Sequence, residues 1–260
     1  MNHTEQRIWL IKELQRDESQ LSDYPIPSDE QGQKDLLRGL MNIWVPKDLS
    51  EEFLKIQDEY LTEENRRAGI TDINDLEPIK SDDRIYLWQG DMTSLRVDAL
   101  TNPANSELLG CWRILHNCAD NIVHSKSGLM LRKTCNCIME KQGHPEPTGQ
   151  AKITPAYNLP CDYVIHTVGP IVQGHLTKKH EELLASCYKS CLDIAEENGV
   201  KSIALCCIST GVFMFPNKRA AEIAVETVKN WLDDTGSDMK IVFNVYKDID
   251  LEIYDKLLNG

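Results

Sequence analysis

The sequence predicts an α/β fold built on a largely parallel central sheet and preceded by a smaller helical region. From residue 84 onward, short β-rich runs alternate with amphipathic helical patterns, which is typical of strands joined by crossover helices. Before that point the patterns are helical, with turns between them. A chain of 260 residues with 41% hydrophobic content is long enough for one ordinary domain and one small one, so we divide it into residues 1–80 and 81–260.

The first 80 residues predict a helical N-terminal extension that packs on the main domain. A proline-rich break over residues 22–31 separates the first helix from the next, and Ser28 and Gln31 have the spacing of a capping box. Ser50 is placed to cap a further helix. We find no chemistry-bearing motif in this part and interpret it as a structural cap. The apolar faces carry Ile8, Ile11 and Leu14 in the first helix, and Phe53, Ile56 and Tyr60 in the last.

The remaining residues alternate between strand and helix patterns. Because ligands in open α/β sheets bind beyond the carboxyl ends of the strands, the loops after Leu87, Leu100, Val168 and Ile208 are the candidate site. The strand patterns cover residues 84–91, 97–102, 163–170, 202–209 and 240–246, and the helical patterns cover 119–142, 180–199, 218–236 and 250–258.

Charge and composition exclude several classes of protein. The formal net charge of −13 disfavours binding to a nucleic-acid backbone, which requires clustered lysine and arginine. The longest apolar run, near "SIALCCIS", is too short to cross a bilayer, and the N-terminal residues predict an amphipathic helix and not a signal peptide. Nine cysteines without an export signal indicate a reducing compartment. We therefore expect a cytoplasmic protein with neither a membrane nor a nucleic acid as partner.

Three loops carry the clearest functional pattern: "QGDMTSLRVDALTNPANSELLG", "HTVGP" and "CISTGVFMFPNKRAAEIAVETV". In order and spacing they resemble the macrodomain family, and the resemblance covers residues 84–260. It implies a three-layer α/β/α fold with a mixed, mostly parallel central sheet. It also implies a binding site for ADP-ribose.

The resemblance assigns the ADP-ribose contacts to separate loops. Asp91 is expected to accept a hydrogen bond from the adenine amine, and the Met92 amide to reach a ring nitrogen. Asn105 is expected beside the distal ribose. Consecutive N–H groups at a strand-to-helix turn, aided by the dipole of the following helix, are suited to a diphosphate. That loop consists of Ser209, Thr210, Gly211, Val212, Phe213, Met214 and Phe215.

A cluster of metal-ligand residues follows the asparagine loop, in the stretch "LLGCWRILHNCADNIVH". Cys111, His116 and Cys118 offer two thiolates and one imidazole from a single loop, a soft set of ligands suited to Zn²⁺. Three protein ligands leave a fourth coordination position open, which is typical of catalytic zinc. The cluster replaces the glycine run of many macrodomains, and it resembles the zinc-dependent class of the family, whose members carry a helical N-terminal extension.

Asp120 and His124 complete the predicted reaction site. They stand four residues apart at the start of a predicted helix and so share one face. By resemblance, Asp120 orients the ribose or the attacking water, and His124 makes a supporting polar contact. We therefore assign catalysis to Asn105, Asp120 and His124.

The resemblance implies an enzyme of the glycosidase type. It is expected to be a zinc-dependent hydrolase that removes mono-ADP-ribose from modified protein side chains, with aspartate and glutamate as the attachment sites. Two alternatives stay open: a reader that binds ADP-ribose with zinc as a structural staple, and a hydrolase of O-acetyl-ADP-ribose. The expected partners are ADP-ribose and a mono-ADP-ribosylated protein. One candidate is a lipoylated carrier that resembles the glycine-cleavage H protein and is modified by a sirtuin.

Three positions depart from the family pattern. Pro103 lacks an N–H donor in the asparagine loop, Met214 replaces a second glycine of the phosphate loop, and Asn244 stands where an aromatic ring often stacks on adenine. Asn244 is expected to form a hydrogen bond instead. His166 is interpreted as a structural residue, and so are six of the seven cysteines outside the cluster, which we expect in the core: Cys135, Cys137, Cys187, Cys191, Cys206 and Cys207.

Overall fold

A mixed β-sheet of seven strands lies at the centre of the protein, with a separate two-stranded ladder beside it. The computed structural model describes residues 1–17 and 24–260. In chain order the strands are Thr71–Asp72 (β1), Pro78–Ile79 (β2), Asp82–Gln89 (β3), Leu95–Arg96 (β4), Ala99–Ala104 (β5), Ala151–Pro155 (β6), Tyr163–Val168 (β7), Ser202–Leu205 (β8) and Lys240–Val245 (β9).

The strands of the main sheet follow the order β2-β3-β9-β8-β5-β7-β6. The inner strands run parallel to one another, whereas β2 and β6 pair antiparallel with their neighbours at the two edges. Strands β7 and β8 consist almost wholly of buried residues, as expected for parallel strands covered on both faces. The predicted mixed, mostly parallel sheet is therefore confirmed.

Helices cover the two faces of the sheet, which gives the expected three-layer α/β/α arrangement. The last three helices pack against one another in series, and the two helices before them in the chain pack as a separate pair. Among the described helices, none combines the length and the apolar character that crossing a membrane requires. The helices are His3–Asp17 (α1), Glu30–Ile43 (α2), Glu51–Ala68 (α3), Ala119–Ser127 (α4), Leu129–Gln142 (α5), Lys178–Glu197 (α6), Asn217–Thr235 (α7) and Asp248–Asn259 (α8).

The N-caps of α3 and α2 test the helix starts predicted from the sequence. Ser50 caps α3 as predicted, and its side chain accepts a hydrogen bond from the N–H three residues later. The capping box predicted for Ser28 and Gln31 is wrong, because Asp29 is the N-cap of α2 and its carboxylate accepts an N–H at 2.8 Å. A carboxylate also faces the positive end of the helix dipole. The proline-rich break predicted before α2 begins within residues 18–23, which lie outside the described residues.

The single helix predicted over residues 119–142 is two helices, α4 and α5. The break lies at Gly128, whose φ of 98° is a conformation that favours glycine. A side chain at Gly128 would lie 2.8 Å from Gln57 Nε2, and the Oε1 atom of Gln57 accepts a hydrogen bond from the N–H of Leu129 at 3.0 Å. A close contact with helix α3 therefore sets the break.

Helices α1 to α3 form an N-terminal region with its own hydrophobic core. Leu129 of α5 belongs to the same core, so apolar packing joins this region to residues 71–260, which we call the sheet domain. The helical part ends at Ala68, and the predicted boundary at residue 80 falls in the turn between β2 and β3. The residues of this core in the N-terminal region are Leu10, Ile11, Leu14, Leu37, Leu40, Met41, Trp44, Phe53, Ile56, Tyr60 and Leu61.

Replacing Leu40 by alanine tests the packing of this region. Leu40 is 3% exposed, so Leu40→Ala leaves a cavity. We expect it to lower the free energy of unfolding by about 2 to 5 kcal/mol in urea denaturation. Ile249→Ala, at a side chain that is 57% exposed, is the control. It is expected to change the free energy by less than about 0.5 kcal/mol, and equal effects of the two variants would contradict the burial of α2.

Candidate functional site

The carboxyl ends of the parallel strands meet at one edge of the sheet. Asp91 follows β3 there, Asn105 follows β5, Gly169 follows β7, Ser209 follows β8 and Tyr246 follows β9. Loops in this position form the ligand cleft of open α/β sheets. The loops that the sequence marked as candidates therefore lie along the same edge.

Asp91 stands at the start of a short 3₁₀ turn with both carboxylate oxygens engaged. Oδ1 accepts hydrogen bonds from the N–H and the hydroxyl of Thr93 at 3.0 and 2.6 Å, and Oδ2 accepts one from Lys126 Nζ at 2.8 Å. Burial acts to raise the pKa of Asp91, but the lysine and the threonine outweigh it and hold the pKa below its usual value. An adenine amine at this carboxylate would share Oδ2 with Lys126. Met92, whose main-chain N–H is the other predicted adenine contact, has a side chain that is buried in the core.

The loop from Ser209 to Phe215 turns sharply at two residues. Ser209 and Met214 have positive φ angles of 66° and 58°. The resemblance described above implies that Met214 stands at a position where many macrodomains have glycine, and a φ of 58° is of the kind that favours glycine. The N–H groups of Met214 and Phe215 donate to Gly211 O and Ser209 O, at 3.0 Å each, and close the loop on itself.

Several polar groups of this loop have no partner among the described residues. They are the buried hydroxyl of Ser209 and the N–H groups of Gly211, Val212 and Phe213. Adjacent free N–H groups at a strand-to-helix turn are suited to a phosphate, and α7 begins directly after this loop.

Not every residue of the predicted phosphate loop is available to a ligand. The N–H and the hydroxyl of Thr210 both donate to Cys207 O. Phe215 is 1% exposed and its N–H is already bonded, so neither its ring nor its N–H can contact a ligand. The side chains of Val212 and Met214 are 68% and 72% exposed.

Cys111, His116 and Cys118 come together in the loop between β5 and α4, of which we call residues 110–118 the metal loop. Their ligand atoms lie within 4.8 Å of one another, and Cys111 Sγ is 3.4 Å from His116 Nδ1. All three residues are partly exposed. Two sulfur atoms and one imidazole nitrogen are a donor set that fits Zn²⁺. Burial raises the pKa of the Cys118 thiol to about 11, so a cation is needed to hold it as a thiolate at neutral pH.

Asp120 is buried in the first turn of α4 and is held by two asparagines. Its Oδ1 accepts a hydrogen bond from Asn102 Nδ2 at 2.8 Å, and its Oδ2 accepts one from Asn105 Nδ2 at 3.4 Å. Burial raises the pKa of Asp120 to about 6, against the lowering effect of the Asn102 amide. The Asn105 amide also donates to Gly110 O at 3.0 Å, which ties it to the metal loop.

His124 has no hydrogen-bond partner for either ring nitrogen among the described residues. Its Nε2 is 3.6 Å from Asp120 Oδ1, which is too long for a hydrogen bond. Burial, with the neighbouring His166, lowers the pKa of His124 well below its usual value, so the ring is neutral. The loop backbone packs closely on this ring, because a methyl group at Gly110 would lie 2.8 Å from its Cγ.

His166 is buried in β7 and contacts the side-chain amide of Asn102. Its Nδ1 lies 3.1 Å from Asn102 Nδ2 and its Nε2 lies 3.0 Å from Thr154 Oγ1. Asn102 and Pro103 are residues of strand β5 and not of a loop. The ligand atoms of His124, Cys135 and His166 lie within 4.8 Å of one another. Both nitrogens of His166 are used in hydrogen bonds, so these three residues belong to the core.

The cysteines outside the metal loop lie in the core with one clear exception. Cys137 is exposed, so the prediction that it is a core residue is wrong. It stands two residues after the buried Cys135 on α5, and side chains with that spacing point to opposite sides of a helix. Cys207 is partly buried, and the others are buried: Cys161, Cys187, Cys191 and Cys206.

Tyr246, to which the sequence analysis gives no role, is an exposed aromatic residue at the end of the cleft near Asp91. Its side chain is 75% exposed, and its carbonyl accepts a hydrogen bond from Gln89 Nε2 at 3.3 Å, directly before the Asp91 turn. Its position at the end of the predicted strand 240–246 was the available signal. Asn244, which was expected to form a hydrogen bond where other family members stack a ring, is buried, and its amide donates to Gly90 O at 3.0 Å within the protein.

The parallel sheet and the loops at its carboxyl edge define an α/β domain with a ligand cleft, and comparison with known proteins identifies its family. Residues 101–224 match the Macro domain. A protein-ADP-ribose hydrolase of Treponema medium is 54% identical over 261 residues, with 100% of both chains covered. The protein of the same name from Staphylococcus aureus strain MSSA476 is 45% identical over 252 residues, which cover 96% of this chain and 94% of that one.

A solved structure supports the same conclusion. The Trypanosoma brucei macrodomain in complex with ADP-ribose superposes with a TM-score of 0.67 at 28% identity, covering 82% of this chain and 92% of that chain. The chain belongs to the Macro domain family.

Replacing Gly110 by alanine tests the packing of the metal loop on His124. The φ of Gly110 is 78°, and the added methyl group would lie 2.8 Å from the His124 ring. Gly143→Ala is the matched control, since Gly143 has a φ of 74° and no atom within 4 Å of the position of the new methyl group. Gly110→Ala is expected to cost at least about 1 kcal/mol more in the free energy of unfolding than the control, as urea denaturation measures it. Equal costs would contradict the close approach.

Proposed function

We propose that this chain is a zinc-dependent hydrolase that removes mono-ADP-ribose from modified protein side chains, with acidic side chains as the attachment sites. One observation carries the proposal: the three candidate ligands of the metal loop converge beside Asp120 and Asn105, at the edge of the sheet where the nucleotide loops lie. The names of the relatives in Treponema medium and Staphylococcus aureus support hydrolysis of protein-linked ADP-ribose.

The adenine and the diphosphate are held by groups at the far end of the cleft. Asp91 accepts the adenine amine, and the exposed ring of Tyr246 stacks on the base. The free N–H groups of Gly211, Val212 and Phe213 bind the diphosphate, aided by the dipole of α7. Binding energy from these contacts, which are remote from the reacting bond, fixes the distal ribose for reaction.

The reacting end is formed by residues around the first turn of α4. Cys111, His116 and Cys118 would hold the zinc ion. When bound, zinc supplies Lewis acidity, either to a water molecule or to a substrate oxygen. Both Nδ2 hydrogens of Asn105 are donated within the protein, so the residue orients a ribose hydroxyl through Oδ1, which accepts the N–H of Glu107 at 2.9 Å and has a second lone pair for the hydroxyl. Asp120, whose carboxylate is held by the amides of Asn102 and Asn105, orients the ribose or the attacking water.

A second candidate function is a reader of ADP-ribose without turnover. It is favoured by the structural part that Cys118 already plays, since its Sγ caps α4 by accepting the N–H of Asn121 at 3.4 Å. In that case zinc would stabilise the structure of the metal loop and would take no part in a reaction. A hydrolase of O-acetyl-ADP-ribose would use the same cleft and differ only in the group at its mouth. The lipoylated carrier, the sirtuin and the cytoplasmic location stay predictions.

Release of ADP-ribose from a mono-ADP-ribosylated protein tests the proposed function. We expect Cys118→Ala, or treatment of the wild type with a chelator, to slow release by about 100-fold or more, and Zn²⁺ to restore the chelated wild type. Cys137→Ala, at the exposed cysteine of α5, is the matched control and should keep full activity. Tight binding of ADP-ribose with no release by the wild type would favour the reader. Release that is equal in all samples would remove the metal from the mechanism.

The stacking role of Tyr246 has its own test. Tyr246→Ala is expected to weaken ADP-ribose binding by about tenfold in calorimetry, because one base-aromatic stack contributes about 1 to 3 kcal/mol. Tyr246→Phe keeps the ring and is expected to bind like the wild type. Unchanged affinity of the alanine variant would place the adenine elsewhere.

A further inference from the structure

The metal loop is held by the N-terminal region as well as by the sheet domain. Helix α2 approaches the loop closely, since a methyl group at Gly39 would lie 3.2 Å from the side chain of Ile114. The N–H of Leu115 donates to Asn42 Oδ1 at 3.0 Å. A region that we interpreted as a plain structural cap therefore contacts the loop that carries the three candidate ligands.

Asn121 of α4 donates hydrogen bonds to the metal loop from its main-chain N–H and from its side-chain amide. Its N–H donates to Cys118 Sγ at 3.4 Å, and its Nδ2 donates to Cys111 O at 3.3 Å and to Arg113 O at 3.0 Å. The residue is fully buried. Because Asn121 is buried, water cannot reach its Oδ1. This oxygen therefore needs a hydrogen-bond donor from the protein, since an unpaired buried acceptor is destabilising.

Arg38 of α2 supplies the shortest hydrogen bond to Oδ1, to which the Ser125 hydroxyl also donates at 3.3 Å, and it contacts the remaining ligand segment. Its guanidinium donates to Asn121 Oδ1 from NH2 at 2.8 Å and from Nε at 3.3 Å. The same NH2 donates to His116 O at 2.9 Å. Arg38 and Asn121 together therefore bond to the backbone or side chain of all three candidate ligands.

A second arginine locks the two regions in this arrangement. Arg132 of α5 is buried and donates from NH1 to the carbonyls of Met41, Asn42 and Trp44, at the end of α2. Its guanidinium also lies over the ring of Trp112 in the metal loop, 4.4 Å from the ring centroid. Helix α2 is thereby fixed relative to the loop, so Arg38 has a defined position from which to act.

We propose that Arg38, acting through Asn121, is a positioning residue for the metal site, and that the N-terminal region thereby sets the affinity of the loop for zinc. The inference rests on the proposed zinc function. The hydrogen bonds of residues around a metal's own ligands commonly decide ligand orientation and change metal affinity by about 10- to 100-fold. In this chain some of the hydrogen bonds around the candidate ligands come from Arg38, which lies 83 residues before Asn121 in the sequence.

The test measures zinc affinity of the full chain by competition with a coloured chelator. Arg38→Met removes all donors at nearly constant size, and we expect it to weaken zinc binding by about tenfold. Arg38→Lys keeps the charge but not the planar fork, so an intermediate loss of at least about threefold is expected. Arg66→Met is the matched control: Arg66 lies on α3 of the same region, is 67% exposed and pairs with Glu63, and its loss should leave zinc affinity unchanged.

A second measurement separates positioning from general loss of structure. Calorimetric affinity for ADP-ribose is expected to stay within about twofold of wild type in Arg38→Met, because Arg38 makes none of the contacts assigned to the nucleotide. Zinc affinity equal to wild type in Arg38→Met and Arg38→Lys would overturn the inference while leaving the proposed function intact. A parallel loss of ADP-ribose affinity would also overturn it. If Arg38→Met does not fold, Arg38→Lys decides by the threefold criterion. A wild-type chain that binds no zinc would overturn both this inference and the zinc part of the proposed function.

Discussion

The first turn of helix α4 is the constraint on which the whole site depends. It is packed between strand β5 and helix α2, so its polar groups must bond to one another or to these neighbours. Cys118 caps it, Asp120 accepts hydrogen bonds from asparagines at β5, and Asn121 binds carbonyls of the metal loop. This single turn therefore positions Cys118, which is one candidate zinc ligand, and the carboxylate of Asp120. Through Asn121 it also positions the loop that carries the other two candidate ligands.

The same helix connects the two ends of the cleft. Near its C-terminus, Lys126 holds the Asp91 carboxylate at the adenine end, about two turns from Asp120. The chain carries a net charge of −13, yet its proposed ligand is an anion. The conflict is resolved locally, because main-chain N–H groups and the start of α7 provide positive potential where the loop after Ser209 turns.

The alternation of patterns predicted the order of the main strands and helices, and the spacing of Cys111, His116 and Cys118 predicted that they converge. What the sequence did not reveal depends on contacts between distant segments. The break at Gly128 follows from its contact with Gln57. The edge strand β6 was not predicted, because it has only five residues and ends in proline, a pattern that is also typical of loops. The bond from Arg38 to Asn121 joins two helices that no local pattern relates.

X-ray absorption at the zinc edge, on the purified full chain, tests the central claim most directly. The account predicts about one zinc per chain with two sulfur ligands near 2.3 Å and nitrogen or oxygen ligands near 2.0 to 2.1 Å. Four sulfur ligands, a sulfur-free shell, or a chain that takes up no zinc at all would contradict it.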